Sequence, residues 1–330
     1  MKTKRLGLAL SGGGIRAAIF HMGVLTHLAR IGQFDNIKSI SSVSGASLVI
    51  GLIFAVCNNT WPSAAQFYSS VEPQVRARIL SRNIQANALR HLPFLPRYWR
   101  NRVLLLARQL EHCWGISGNL QDLPIAPFWE INCTTFETGG NFRFRRDYMG
   151  EKGIGYVQAP KIPLSHVIAA SAAFPVLIGP YTLRTQGLIW TRDKYGLIPT
   201  NPLKKTYSLW DGGVYDNLGV DALYKPGRGL DGEIDYLIVS NASASLGDAK
   251  HRAHASIANL RRLLEITTTR MDVLREQQIA TSIVAQGNAA HLRLQHAGNY
   301  PTTLNSPTPS DYELIFQLGI NSARDNLRNV

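Results

Sequence analysis

The chain has 330 residues, with 35 Lys and Arg against 22 Asp and Glu, a formal net charge of +13, 45% hydrophobic residues and three cysteines. That length accommodates a full α/β core plus an insertion, and the basic excess implies attraction to polyanions, either anionic lipid headgroups or nucleic acid. Cys57, Cys113 and Cys133 are odd in number and unclustered, which argues against a disulfide framework, and Met1–Arg5 contains no apolar signal segment, so a reducing, cytoplasmic location is expected.

Arg5–Leu10 reads as a short buried strand. Ala17–Leu28 reads as a helix, with Ile19, Phe20, Val24, Leu25 and Leu28 near helical spacing. Between them lies Ser11-Gly12-Gly13-Gly14-Ile15-Arg16. Three glycines at a strand-to-helix junction permit dihedrals that a side chain forbids and leave the first helical N–H groups uncovered. The helix dipole makes that position attractive to an oxyanion or a phosphate, and Arg16 adds a full positive charge. Gly12-x-Gly14-x-x-Ala17 also fits a dinucleotide-binding pattern, with Asp35 roughly 20 residues on. Asp35, however, precedes the second strand, at the wrong end of the sheet to meet a ribose, and Gly-Lys-[Ser/Thr] is absent from this loop.

The second strand, Ile37–Ser41, leads through Ser42-Val43-Ser44-Gly45-Ala46-Ser47 into the apolar run Leu48–Cys57, too short to cross a bilayer and expected as a buried helix. A serine raised on a sharp strand-to-helix turn needs small residues two before and two after it. Ser44 has Ser42 and Ala46 there, where glycines are usual. Ser41, Ser42 and Ser47 are its rivals, and for Ser42 and Ser47 helix capping is the expected role.

From Arg76 to Arg108 eight arginines occur without an acidic residue, interleaved with Phe94, Tyr98 and Trp99. We expect a helical, basic insertion over residues 60–127. Arg97, Tyr98, Trp99, Arg100 and Arg102 are the candidates to meet an anionic membrane surface peripherally; nucleic acid is not expected, because no recognition motif accompanies the charge.

Asn132–Gly140 followed by Phe142-Arg143-Phe144 reads as a strand and turn, Ser165–Pro175 as an Ala-rich helix, and Tyr207–Trp210 as a strand ending at Asp211-Gly212-Gly213. Asp235–Ser240 is a further buried strand. Ala249–Gln286 reads as helical, with Ile257, Leu260, Leu264, Met271 and Leu274 as an ordinary core stripe that Thr267-Thr268-Thr269 can break in two. A Pro-rich loop precedes a last short helix at Asp311–Leu327.

Gly-Gly-Gly-x-Arg, the serine turn and Asp-Gly-Gly, in this order, resemble the patatin-like phospholipases of the bacterial type, lipid acyl hydrolases with a Ser–Asp dyad. Asn132–Phe144 resembles the family's central strand and turn, and Ser165–Pro175 its "Ala-Ser-x-Ala-x-Pro" helix. Ser44-Gly45-Ala46-Ser47 is nearer the Ser-Gly-x-Ser form of cytosolic phospholipase A2 relatives. The likeness spans about residues 5–245. It implies a three-layer α/β/α sandwich with a central, mostly parallel sheet, in a single domain over residues 1–330. It also implies Ser44 as nucleophile, Asp211 as base, and Gly12, Gly13, Gly14 and Arg16 as the oxyanion hole. The substrate would be a phospholipid or another acyl-ester lipid, cleaved through an acyl-enzyme without a cofactor, with an activating partner or small-molecule signal left open. A carboxylesterase or thioesterase with the same dyad, or a catalytically silent lipid- or nucleotide-binding module, are the alternatives. His21, His27 and His166 are candidates for a third catalytic member, each more readily a packed or surface histidine. No His-x-x-x-His or Cys-x-x-Cys spacing suggests a metal site.

Overall fold

A computed structural model describes residues 4–99, 101–175, 178–243, 257–295 and 300–328. Five parallel strands form one end of the sheet: β1 (Leu6–Leu10), β2 (Ile37–Ser42), β3 (Phe128–Thr135), and, from the C-terminal half, β9 (Tyr236–Asn241) and β10 (Ala289–Arg293). Their spatial order is β10-β9-β1-β2-β3, continued antiparallel by β4 (Asn141–Phe144), β5 (Tyr148–Glu151) and β6 (Gly155–Gln158). The five parallel strands are buried along almost their whole length, as expected of a sheet covered on both faces. Residues of β1 and β9 alternate between two cores. Leu6, Leu8, Leu10 and Ile238 join the large one; Ala9, Leu237 and Val239 join a smaller one with Leu218, Val220 and Ile279.

Helices α1 (Gly14–Arg30) and α2 (Gly45–Val56) follow β1 and β2, as the apolar periodicity predicts. Residues 60–127 contain α3 (Glu72–Ser81), α4 (Ile84–His91) and α5 (Arg102–Trp114). Then come α6 (Leu164–Ser171), β7 (Tyr181–Arg184), β8 (Thr206–Asp211), α7 (Ile257–Ile279) and α8 (Pro309–Asn326). The last helix has 18 residues, so it is not short; Thr308 caps it, its hydroxyl accepting from Asp311 N–H.

Strand β3 brings two distant parts of the chain together. One edge of it pairs with β2 at Phe128–Ile131 and then with antiparallel β8 at Cys133–Thr135. Strands β2 and β8 therefore meet head to head, Ser42 opposite Ile131 and Asp211 opposite Cys133. Two residues of β3, about 7 Å, separate those register positions.

Two expectations are corrected. Helix α7 runs unbroken through Thr267–Thr269, because their hydroxyls donate back to the carbonyls of Leu263, Leu264 and Glu265 and so satisfy themselves within the helix. Its apolar stripe is not core: Leu260, Met271 and Leu274 are exposed, whereas Asp272 and Glu276 are buried. Residues 244–256, where that helix was expected to begin, lie outside the described residues.

Candidate active site

Ser44 sits between β2 and α2 with φ 51° and ψ −114°. A non-glycine residue there stores strain of about 1–3 kcal/mol, which the flanking strand and helix hold in place. The sharp turn needs small neighbours. A Cβ on Gly45 would lie 2.1 Å from Gly14 O, and one on Gly12 would lie 3.1 Å from Ser44 Cβ. The serine turn and the glycine loop are thus packed backbone against backbone.

Beneath the turn runs a chain of hydrogen bonds with one direction. Trp129 Nε1 donates to Ser42 Oγ (2.8 Å), Ser42 and Ser47 hydroxyls are 2.9 Å apart, as are those of Ser47 and Ser171, and Ser171 Oγ donates to Asn132 O (2.8 Å). Since Ser171 Oγ spends its proton on Asn132, it accepts both the Ser47 proton and Ser44 N–H (3.0 Å). Ser42 and Ser47 therefore do not cap α2. They carry a polarised chain that fixes the Ser44 backbone. Ser41 is occupied as well, donating to Gly219 O at 2.6 Å.

Asp211 ends β8 and is buried. Its carboxylate accepts the Gly213 N–H at 2.8 Å, and the Ser44 hydroxyl stands near enough to favour its ionised form. Burial pushes its pKa up to about 6, against the smaller, opposite pull of those two donors. Such a carboxylate is ionised at neutral pH and more basic than an ordinary aspartate.

The glycine loop divides its tasks. Gly13, at φ 139°, precedes α1 with no side-chain cap. Among the described residues no acceptor takes the N–H of Gly13 or Gly14. Gly12 N–H, in contrast, is committed to Asn217 O at 3.1 Å, which removes it from the available donors. Arg16 is buried, and its guanidinium donates to Ala242 O (3.2 Å), Tyr300 O (3.1 Å) and Thr302 Oγ1 (3.1 Å). Burial holds its pKa down to about 10. It ties the 300–303 segment onto the first turn of α1, where Ile15 N–H also donates to Thr303 O (2.8 Å).

None of the candidate histidines bonds Ser44 or Asp211. His21 is fully buried between Ser240 Oγ and Ser11 O, both at 2.9 Å, and burial lowers its pKa to about 4. His166 packs edge-on against Tyr181, and His27 lies half-buried at the end of α1. In the basic segment, Arg97 stacks on Tyr98, and Phe94 and Trp99 are both exposed; Arg102 opens α5, and Arg100 lies outside the described residues. An open groove of about 360 Å³, lined by Tyr98, Leu104, Arg108, Glu111, His112 and His166, joins this segment to α6. The three cysteines are unpaired, and no described helix is long and apolar enough to cross a membrane. Among the described residues no group of three or more His, Cys, Asp or Glu is gathered as for a metal ion.

The family model for patatin-like phospholipases matches residues 8–224, which include the glycine loop, the serine turn and Asp211. The chain belongs to this family. Its fold is similar to that of human GIVD cytosolic phospholipase A2, solved in complex with methyl gamma-linolenyl fluorophosphonate and terbium chloride. That match has a TM-score of 0.56 at 13% identity and covers 98% of this chain and 58% of that one. VipD from Legionella pneumophila is also similar, at TM-score 0.46 and 15% identity, over 98% of this chain and 66% of that one. The chain therefore spans about half to two thirds of the length of these structures. A comparison with curated proteins finds no match.

Sequence reasoning singled out Ser44 and Asp211 and missed Ser171, Asn132 and Asn217. Ser171 lay within the quoted Ala-Ser-x-Ala-x-Pro segment, and Asn217 stands six residues after Asp211. Both were within reach of the motifs already read.

Proposed function

We propose that this patatin-like protein is a lipid acyl hydrolase of phospholipase A type, working through a Ser44–Asp211 dyad. The observation that carries the reading is the strained Ser44 turn beside a buried carboxylate, with the open end of α1 packed against it. The likeness in fold to a human phospholipase A2 captured with a fluorophosphonate supports it.

In this mechanism Asp211 accepts the Ser44 proton as Oγ attacks the acyl carbonyl carbon. The oxyanion that forms is stabilised by Gly13 and Gly14 N–H, the α1 dipole and the Arg16 cation. Collapse expels the alcohol oxygen of the lysophospholipid, which takes the proton from Asp211 and leaves an acyl-Ser44 ester. Water then gives a proton to Asp211 and attacks that ester; the second collapse releases the fatty acid and returns the proton to Ser44. The basic segment around Arg97, Tyr98, Trp99, Arg100 and Arg102 docks the enzyme on anionic membrane, through charge and aromatic burial at the headgroup boundary.

Mass spectrometry of phospholipid vesicles after incubation tests the reading. Fatty acid and lysophospholipid should appear with the wild type and not with Ser44→Ala. Cleavage of soluble p-nitrophenyl butyrate without any lipid product would make the protein a carboxylesterase. No turnover of either, with no covalent labelling by a fluorophosphonate, would leave a binding module.

A further inference from the structure

Helix α7 turns two carboxylates inward and its leucines outward, the reverse of an ordinary amphipathic helix. The inward pair falls on the polar ends of the loops that form the site. Asp272 Oδ2 accepts from Asn217 Nδ2 (2.9 Å) and Ser243 Oγ (2.9 Å), and Asn217 Nδ2 also donates to Ser243 Oγ (2.7 Å). One turn on, Glu276 accepts from Asn241 Nδ2 at 2.5 Å, and Asn241 Oδ1 takes Ser243 N–H at 2.8 Å. Asn217 is the hub of this set. Its carbonyl holds Gly12 N–H, and its Oδ1 fills the space between two site loops: a Cβ would lie 2.5 Å from it on Gly12 and 2.8 Å on Gly213.

We propose that Asp272 is a positioning residue for the glycine loop. It orients Asn217, and Asn217 sets the place of Gly12, and hence of the Gly13 and Gly14 N–H groups, relative to Ser44. The inference rests on the dyad reading above. A buried carboxylate that serves only to hold two neutral donors is an expensive way to fill space, and burial raises its pKa to about 6 with Asp216 and Glu276 as its acidic neighbours. Its position is explained if the fixed donor geometry it enforces matters to the reaction.

The test uses the full chain, with p-nitrophenyl butyrate as substrate and a fluorophosphonate probe to report Ser44. Wild-type labelling at Ser44 is read first, since its absence removes the dyad reading itself. Given labelling, Asp272→Ala should lower kcat by about 30-fold or more with KM within about twofold, because the loss falls on the transition state and not on substrate binding. Asp272→Asn keeps an oxygen acceptor without the charge and should fall between, losing about three- to tenfold. Labelling rates should follow kcat. A folded Asp272→Ala with kcat within about twofold of wild type overturns the proposal while the dyad stands. If Asp272→Ala does not fold, Asp272→Asn decides alone, and an unchanged kcat in it overturns the proposal equally.

Discussion

Replacing Asp211 by Asn should abolish turnover and make the protein more stable. The folded state holds this carboxyl at a pKa of about 6, against an ordinary 3.8. Raising an acid's pKa means that the fold disfavours its charged form. A shift of about two units corresponds to roughly 3 kcal/mol at 1.36 kcal/mol per unit. The penalty is fully present above pH 6, where the carboxylate is ionised in both states. It fades as pH falls from 6 towards 3.8, where the folded protein alone has taken up the proton, and is absent below that window. Asn has nearly the same shape and no charge, and its oxygen can still accept the Gly213 N–H. The gain at pH 8 should therefore approach 3 kcal/mol as a ceiling. For a chain of this length, about 2.1 cal/mol/K per residue gives an unfolding entropy near 0.7 kcal/mol/K, hence a Tm rise of about 4 °C. Paired melts of wild type and Asp211→Asn at pH 8 and pH 4 provide the assay. A variant no more stable than wild type at pH 8, or a gain that persists undiminished at pH 4, would refute the assignment of a strained, buried carboxylate.

The rate should report the same group: kcat/KM on a soluble ester should fall as pH drops through about 6, and an acid limb near 3.8 would point to another base. Ser44→Gly should be more stable than Ser44→Ala by about 1 kcal/mol, because only glycine relieves the positive φ; equal melting temperatures would deny the strain. Ser171→Ala leaves Ser44 N–H and Asn132 O without their partner, so it should lose about 1–3 kcal/mol of stability and slow turnover about tenfold. Melts and kinetics on the same sample check both halves of that expectation. Replacing Arg97, Arg100 and Arg102 together by Gln should weaken binding to anionic vesicles in a salt-dependent way while sparing hydrolysis of p-nitrophenyl butyrate. Unchanged vesicle binding would make those arginines a solvated face.

The sequence displays most clearly what backbone geometry makes compulsory. Gly45 must be glycine because Gly14 O occupies the place of its side chain, and the apolar runs around both loops must be strands and helices for the turns to be sharp. Ser44 and Asp211 were therefore readable as candidates, the second only in company with the first. What stayed hidden depends on the tertiary partner. Ser42 and Ser47 look like helix caps until α6 brings Ser171 beneath them. Arg16 looks like an anion-binding group until the carbonyls of Ala242 and Tyr300, more than two hundred residues away, take up its donors. The leucines of α7 have the spacing of a core stripe, but the groups that need that helix are polar: Asn217, Ser243 and Asn241 draw Asp272 and Glu276 inward. Periodicity records that a helix has two faces, and only the surroundings decide which one is buried.

Covalent capture tests the central claim most directly. Incubation with an alkyl fluorophosphonate, followed by proteolysis and peptide mass spectrometry, should place a single adduct on Ser44. It should vanish in Ser44→Ala and form far more slowly in Asp211→Asn. An adduct on Ser47 or Ser42, or a wild-type protein that is folded and takes up no probe, would contradict the account.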